Sequence, residues 1–332
     1  MKRIFTFILA SMILAIPLFA LGNKDAPMVS ETLAPITIRV GALKGPTGIG
    51  MIRLFETAPQ LPQASSATFE AIPSADVMAA RLLSGQIDAA VLPVNMAAKL
   101  YNSGLGYRLV AVVGNGMVKL VSSDMSLTSL GDLRGRDLYV AGQGATPEFL
   151  MRTILPKAGL NPNTDLNMIF SMPYPEIAAS LSAGRIESAV LPEPFATMAL
   201  KGNPAARVPF SLSDAWTAAT GQSDYPMSVF VVRSSLIEER PEAVVALAKA
   251  YEASIAGVLA DPVSAGILVE KHDMGLKAAI ASAAIPACAF TYVNAKDSRP
   301  AIEALLGVFL NASPASIGSK LPDGDWYATI TR

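Results

Sequence analysis

The chain has 332 residues, 52% of them hydrophobic and 16% charged, which is enough apolar side chain for roughly two domain cores and rules out a disordered or fibrous protein. A formal net charge of -1 without any cluster of lysines and arginines leaves a nucleic-acid role without electrostatic footing. One cysteine and one histidine exclude an internal disulfide and a metal centre built on Cys and His.

Lys2 and Arg3 form a basic head, residues 4–19 are mostly apolar, and Ala20-Leu21-Gly22 ends in small residues at the two positions that a signal peptidase inspects. This predicts an exported protein, with residues 1–22 removed as a signal peptide. The alternative is an uncleaved membrane anchor, since the run approaches the length that spans a bilayer. No cysteine follows it, so a lipoprotein anchor is excluded.

After a polar tether at 23–35, residues 36–42 alternate and are rich in β-branched side chains, as in a strand. The glycine loop Lys44-Gly45-Pro46-Thr47-Gly48 follows, and Ile49, Met51, Ile52, Leu54 and Phe55 then read as one helical face, the first half of a βαβ unit. A strand at 68–72 leads to a helix at 74–83 with Ser74 as its N-cap, and Gly85 ends that helix in the left-handed conformation. Residues 87–92 read as a buried parallel strand, and Pro93 with Asn95 opens the next loop and helix. Strands at 107–113 and 118–122 are split by Gly114-Asn115-Gly116, and the polar stretch 126–136 links them to a second unit.

That unit has a strand at 138–141, a glycine loop at 142–146 and a helix at 147–155, with Pro147 and Glu148 favourably placed in the first turn. Strands at 167–170 and 189–191 flank a helix at 176–182, and Pro192-Glu193-Pro194 closes the unit. A strand at 225–233 precedes a long helix at 241–259, with Val245, Ala248 and Tyr251 on one stripe, and shorter helices at 263–271, 276–284 and 300–310.

The two units are copies. Gly-Gln-Ile-Asp-Ala-Ala-Val-Leu-Pro at 85–93 reappears as Gly-Arg-Ile-Glu-Ser-Ala-Val-Leu-Pro at 184–192, an offset of 99 residues that also carries Gly45 onto Gly144 and Thr47 onto Thr146. Such self-similarity marks duplicated structural units. One lobe interrupted by another follows: lobe one at 35–119, lobe two at 120–225, and a return to lobe one at 226–332, with the C-terminal helices packing mostly on lobe one. Two crossing strands, near 119–123 and 226–232, would form the hinge of a clamshell.

Ligands of parallel α/β lobes lie outside the carboxyl ends of the strands. There the loops offer Lys44, Gly45, Pro46, Thr47 and Asn95 from one lobe, and Gly144, Ala145, Thr146 and Glu193 from the other. Helix N-termini favour an anionic or partly negative ligand group, the threonines add hydroxyls, and the two glycines allow close backbone approach. Glu193 leads among the charged candidates because prolines stiffen its loop. Asn115 is a neutral partner near the crossing, and Tyr225 can stack on an organic ligand, with Met227 covering its apolar part. A small organic molecule with one anionic or polar end, and a donor for Glu193, fits this set. No catalytic constellation, Cys/His metal site or cofactor motif is present in the sequence, which leaves open a metal held by carboxylates alone: His272 and Cys288 lie far from these loops, and Gly142-Gln143-Gly144 lacks the third glycine of a dinucleotide fingerprint.

The glycine loop at 44–48, the Gly-Gln-Ile-Asp-Ala-Ala-Val-Leu-Pro-Val-Asn run at 85–95, Ser-Leu-Gly-Asp-Leu-Arg-Gly at 129–135, Gly-Ala-Thr-Pro-Glu at 144–148, Leu-Pro-Glu-Pro at 191–194 and the tail at 317–327 together carry a family resemblance. The sequence resembles the ABC-transporter substrate-binding proteins of the nitrate, sulfonate, taurine and thiamine-precursor group. The resemblance implies the two-lobed α/β clamshell of type II periplasmic binding proteins, with two crossing hinge strands. It also implies a small-molecule ligand between the lobes, delivery to an ABC permease with its ATPase subunit, and a monomer in the periplasm that meets the membrane only through the permease. Two other classes stay open: an enzyme on the same fold, of the pyrimidine- or tetrapyrrole-forming type, and a protein that presents its ligand to a sensor.

Overall fold

The larger of two sheets in the computed structural model, which describes residues 33–330, is built from both ends of that range. It contains β1 (Ile36–Leu43), β2 (Ser65–Ile72), β3 (Ala89–Pro93), β4 (Tyr107–Asn115), β9 (Pro226–Arg233) and β10 (Phe290–Asn294), in the order β10-β4-β9-β3-β1-β2. The smaller sheet takes the middle of the chain: β5 (Val118–Ser122), β6 (Asp137–Val140), β7 (Asn167–Ile169) and β8 (Ser188–Pro192), in the order β5-β8-β6-β7. The expected signal segment at 1–22 lies outside the described residues.

The duplication is visible in both sheets. β1 runs parallel to β2 and β3, with β9 antiparallel to β3; β6 runs parallel to β7 and β8, with β5 antiparallel to β8. Thus β9-β3-β1-β2 is repeated as β5-β8-β6-β7. The 99-residue offset carries α3 (Ala75–Leu83) onto α6 (Tyr174–Ser182) and β3 onto β8, end for end. These strands are almost continuously apolar because helices cover both faces of the sheets.

Local chemistry explains most boundaries. Ser74 Oγ accepts the Val77 N–H at 3.3 Å and caps α3, while Gly85 beyond its end takes φ 66°. The apolar face at 49–55 is not one helix. It divides into α1 (Pro46–Ile49) and α2 (Ile52–Glu56) around Gly50 and Met51. In α10 (Pro241–Ala260) the buried stripe is Val244, Leu247, Ala248, Tyr251 and Ile255, with Val245 half-buried at its edge. That helix is long and apolar enough to cross a membrane, but its apolar stripe packs on α2 and β10. Burying each large apolar side chain there contributes about 1.5–3 kcal/mol.

The chain changes sheets through two short links rather than through crossing strands. The expected strands near 119–123 and 226–232 are β5 and β9, each paired along its length inside a single sheet. The links are Gly116-Met117 and the stretch 221–225 after α8 (Leu212–Thr220), and they touch where the Gly116 N–H donates to the Tyr225 carbonyl at 3.2 Å.

The C-terminal helices do not stay with one sheet. α11 (Pro262–Lys271) packs on α2, whereas α12 (Ala278–Ala284) also touches α7 (Phe195–Gly202), the helix after β8. α13 (Ala295–Ala312) meets α5 (Thr146–Ile154) through Phe309 and Phe149, whose ring centroids are 4.6 Å apart. The tail beyond α13 is held on α4 (Val94–Asn102) by Asn102 Nδ2, which donates to the carbonyls of Ile317 and Lys320 at 2.6 and 2.7 Å.

Candidate ligand-binding site

A cavity of about 630 Å³ lies where the carboxyl ends of the two parallel sets face each other. Four pairs related by the 99-residue offset line it: Pro46 with Ala145, Thr47 with Thr146, Ala75 with Tyr174, and Pro93 with Pro192. Each copy therefore presents the same three places to the cavity, namely the loop after its first strand, the start of the helix that precedes its third strand and the proline that ends that strand. Asn95, Met96 and Leu100 from α4, Met117 from the first link, Met227 and Ser228 from β9, and Ser316 from the tail complete much of the wall. Its charged lining side chains, Asp76 and Lys99, belong to solvent-exposed residues.

The glycines set the loops. Gly45 and Gly144 have φ 94° and 73°, values that glycine adopts without strain, and a Cβ at either would meet no protein atom within 4 Å. Their role is thus backbone conformation, and among the described residues no side chain or backbone fills the space where a Cβ would stand. Gly142, at φ 78°, differs, because a Cβ there would collide with the Tyr174 hydroxyl. That glycine brings the β6 loop down onto Tyr174, whose ring also packs on Phe195 with centroids 5.6 Å apart. Burial pushes the Tyr174 hydroxyl above its usual pKa, so it stays a protonated donor.

Of the candidates named from sequence, Pro46, Thr47, Asn95, Gly144, Ala145 and Thr146 line the cavity. Lys44, Gly45, Asn115, Glu193 and Tyr225 do not. Lys44 Nζ turns away to Asp273 Oδ2 at 2.5 Å. Glu193 is 1% exposed; its Oε2 accepts the Thr197 N–H at 3.0 Å, so it caps the first turn of α7. Burial raises the Glu193 pKa, against the opposing pull of the Thr197 hydrogen bonds and the positive Lys119. Tyr225 is fully buried edge-on to Trp216, with centroids 5.6 Å apart, and its hydroxyl donates to the Val118 carbonyl at 3.5 Å. It is core, unavailable for stacking on a ligand. Asn115 ends β4, where its N–H donates to the Ala289 carbonyl and its side-chain oxygen is buried without a hydrogen-bond partner.

The sequence reading missed Tyr174, Met96 and Met117. Tyr174 was legible through the offset, since it corresponds to Ala75 at the start of α3. The methionines had no signal beyond composition.

His272 and Cys288 stand apart from the cavity. His272 Nε2 is 2.9 Å from Glu56 Oε2, and Cys288 is fully buried, with its thiol pKa pushed up chiefly by burial. Among the described residues, no group of three His, Cys, Asp or Glu side chains is gathered to hold a metal ion. A second groove, of about 740 Å³, runs between α2 and the pair α10 and α11. It is lined by Arg53, Glu56, Pro59 and Ile267 among others, and none of the duplicated loops reaches it.

Comparison with known proteins bears on the family and the fold. Curated protein sequences give no match. Among solved structures, an ABC transporter protein from Parabacteroides distasonis is similar with a TM-score of 0.76 and 25% identity, covering 89% of this chain and 99% of that one. The periplasmic aliphatic sulphonate binding protein of Escherichia coli follows with a TM-score of 0.66 and 18% identity, covering 87% and 93%. The periplasmic nitrate-binding protein of Synechocystis has a TM-score of 0.57 and 14% identity, covering 85% and 84%. The model of the NMT1-like family matches residues 49–256, more than half of the sequence. The chain belongs to the NMT1-like family, and its fold is that of the ABC-transporter periplasmic binding proteins.

Proposed function

We propose that this protein is the extracytoplasmic solute-binding component of an ABC importer. It takes up one small organic molecule in the cavity between the two sheets and hands it to a membrane permease driven by a separate ATPase. The observation that carries this reading is the pairing of lining residues: duplicated loops approach one volume from both sides, as a clamshell that closes on a ligand requires. A monomer suffices, because both halves of the site come from one chain. The basic and apolar N-terminal sequence supports export to the periplasm. A binding role is favoured over catalysis because the histidine and the cysteine both lie elsewhere, one paired on the surface and one sealed in the core.

Native mass spectrometry of the protein purified from its exported form tests the reading. A 1:1 adduct with a small organic molecule is expected, and Thr47→Val or Thr146→Val should weaken its binding by about 0.5–1.5 kcal/mol through loss of one hydrogen bond. Unchanged affinity in both variants would move the site out of the cavity. A protein that neither carries nor takes up any solute would sink the reading itself.

A further inference from the structure

The tail beyond α13 reaches the cavity as part of its wall. Ser316, in the short 3-10 turn Pro314–Ile317, lines the cavity together with Lys99 of α4 and Ser103 just past the end of that helix. Asn102 fastens the turn to α4: its Nδ2 donates to the Ile317 and Lys320 carbonyls, while its Oδ1 is buried without a partner. Gly318, at φ 77°, rests so closely on this side chain that a Cβ would stand 2.7 Å from the Asn102 Cβ. Further along, the Tyr101 hydroxyl donates to Asp323 Oδ1 at 2.6 Å and the Ala328 N–H to the Leu109 carbonyl at 2.8 Å. The tail is thus tied along α4 and β4, with Ser316 held at the cavity.

The protons of both serines are already spent. Ser316 Oγ donates to the Ser313 carbonyl at 2.6 Å, and Ser103 Oγ donates to the Lys99 carbonyl at 2.8 Å. A hydroxyl has one hydrogen and two lone pairs, so towards a guest these two oxygens can only accept. Asn102 brings them to one corner, since it adjoins Ser103 in sequence and holds the residue that follows Ser316. Lys99, which makes no ion pair among the described residues, can only donate there.

We propose that the C-terminal tail is part of the ligand site, that Ser316 and Ser103 accept the hydrogen of a ligand hydroxyl beside Lys99, and that Asn102 is the positioning residue. A corner that accepts at two oxygens and donates from a cation suits a group that does both. A hydroxyl gives its hydrogen to a serine oxygen and takes one from the Lys99 ammonium on its own oxygen. An ammonium group would face the positive charge of Lys99, and a bare oxyanion has no hydrogen to offer the serines. The inference rests on the binding role proposed above and assigns one end of the ligand only.

Alkylation of Ser316→Cys by iodoacetamide tests it, because the native Cys288 is fully buried. The rate is compared between protein carrying its copurified solute and protein stripped of it. Reaction at position 316 is expected to be at least about tenfold slower with solute bound, whereas Ala315→Cys, at an exposed residue outside the cavity lining, should react equally in both. Equal rates at position 316 would overturn the tail's place in the site. In stripped protein, adding Asn102→Ala to Ser316→Cys should raise the rate, while the same addition to Thr146→Cys on the opposite wall should not. No rise would overturn the role of Asn102, and the protection experiment stands whether or not that variant folds. Nuclear magnetic resonance of the released solute is expected to show at least one hydroxyl; a solute without any would overturn the hydroxyl assignment. Failure of the binding role would register differently, as the absence of any retained solute, and the Asn102 comparison, which needs none, would still decide how the tail is held.

Discussion

Glu193 shows at the scale of one residue how a correct chain position can carry a wrong role. Prolines stand on either side of it, yet its side chain is buried, where it accepts the Thr197 N–H. Tyr225 is similar, since a hydrophobic residue at a link between sheets can point to a cleft or to a core, and Trp216 draws it to the core. Sequence fixes where along a loop a side chain sits and leaves its direction open. Because burial raises the Glu193 pKa above its unfolded value, folding favours the protonated form. Its contribution to stability is full below the unfolded carboxylate pKa of about 4.3 and is lost as pH rises through the raised native value. Glu193→Gln, which keeps the shape and the acceptor for Thr197, is therefore expected to raise the melting temperature at pH 7–8, with the gain shrinking towards about pH 4. Scanning calorimetry across that range checks it. A melting temperature lowered at pH 8 would show that the charge stabilises the fold through Lys119.

Secondary elements were most legible where two independent signals agreed. The α3 boundary combined an N-capping serine with a terminating glycine, and its copy α6 ends one residue before Ala183 in the same register. Ser74→Ala is expected to cost about 1 kcal/mol in denaturant unfolding; no loss would mean that the cap in the structure contributes nothing to stability. Elements with conflicting signals were misread. α13 starts at Ala295, five residues before the Pro300 that suggested a helix start; Pro300 stands inside the helix, where its missing N–H leaves the Lys296 carbonyl without its i→i−4 donor. β10 (Phe290–Asn294) was missed although Phe, Thr, Tyr and Val favour strands, since alanine-rich helical sequence precedes it and it pairs with a single neighbour at the sheet edge. The α1–α2 break was illegible for another reason. Gly50, at the break, lies against two side chains distant in sequence, since a Cβ there would stand 3.3 Å from Ile255 and 3.5 Å from Phe290, and no local pattern encodes that contact.

For the whole molecule, the repeat carried most of what could be read. A constant offset implied two similar sheets and two loops in equivalent places, and the cavity is where those loops meet. The crossing was legible only approximately, because strands on either side of a link look alike in sequence whichever sheet they join. The two links at Gly116-Met117 and 221–225 are short and lie side by side, joined by the hydrogen bond from Gly116 to Tyr225. We propose that rotation about them brings the sheets together on the ligand, in the manner of hinge closure. Helices α12 and α13, which touch both halves, would ride on that motion and limit its range. Small-angle X-ray scattering of the protein stripped of its copurified solute, and again at saturation with it, tests the central claim most directly. A smaller radius of gyration is expected with solute bound; an unchanged radius at saturation would contradict a clamshell that closes around its ligand.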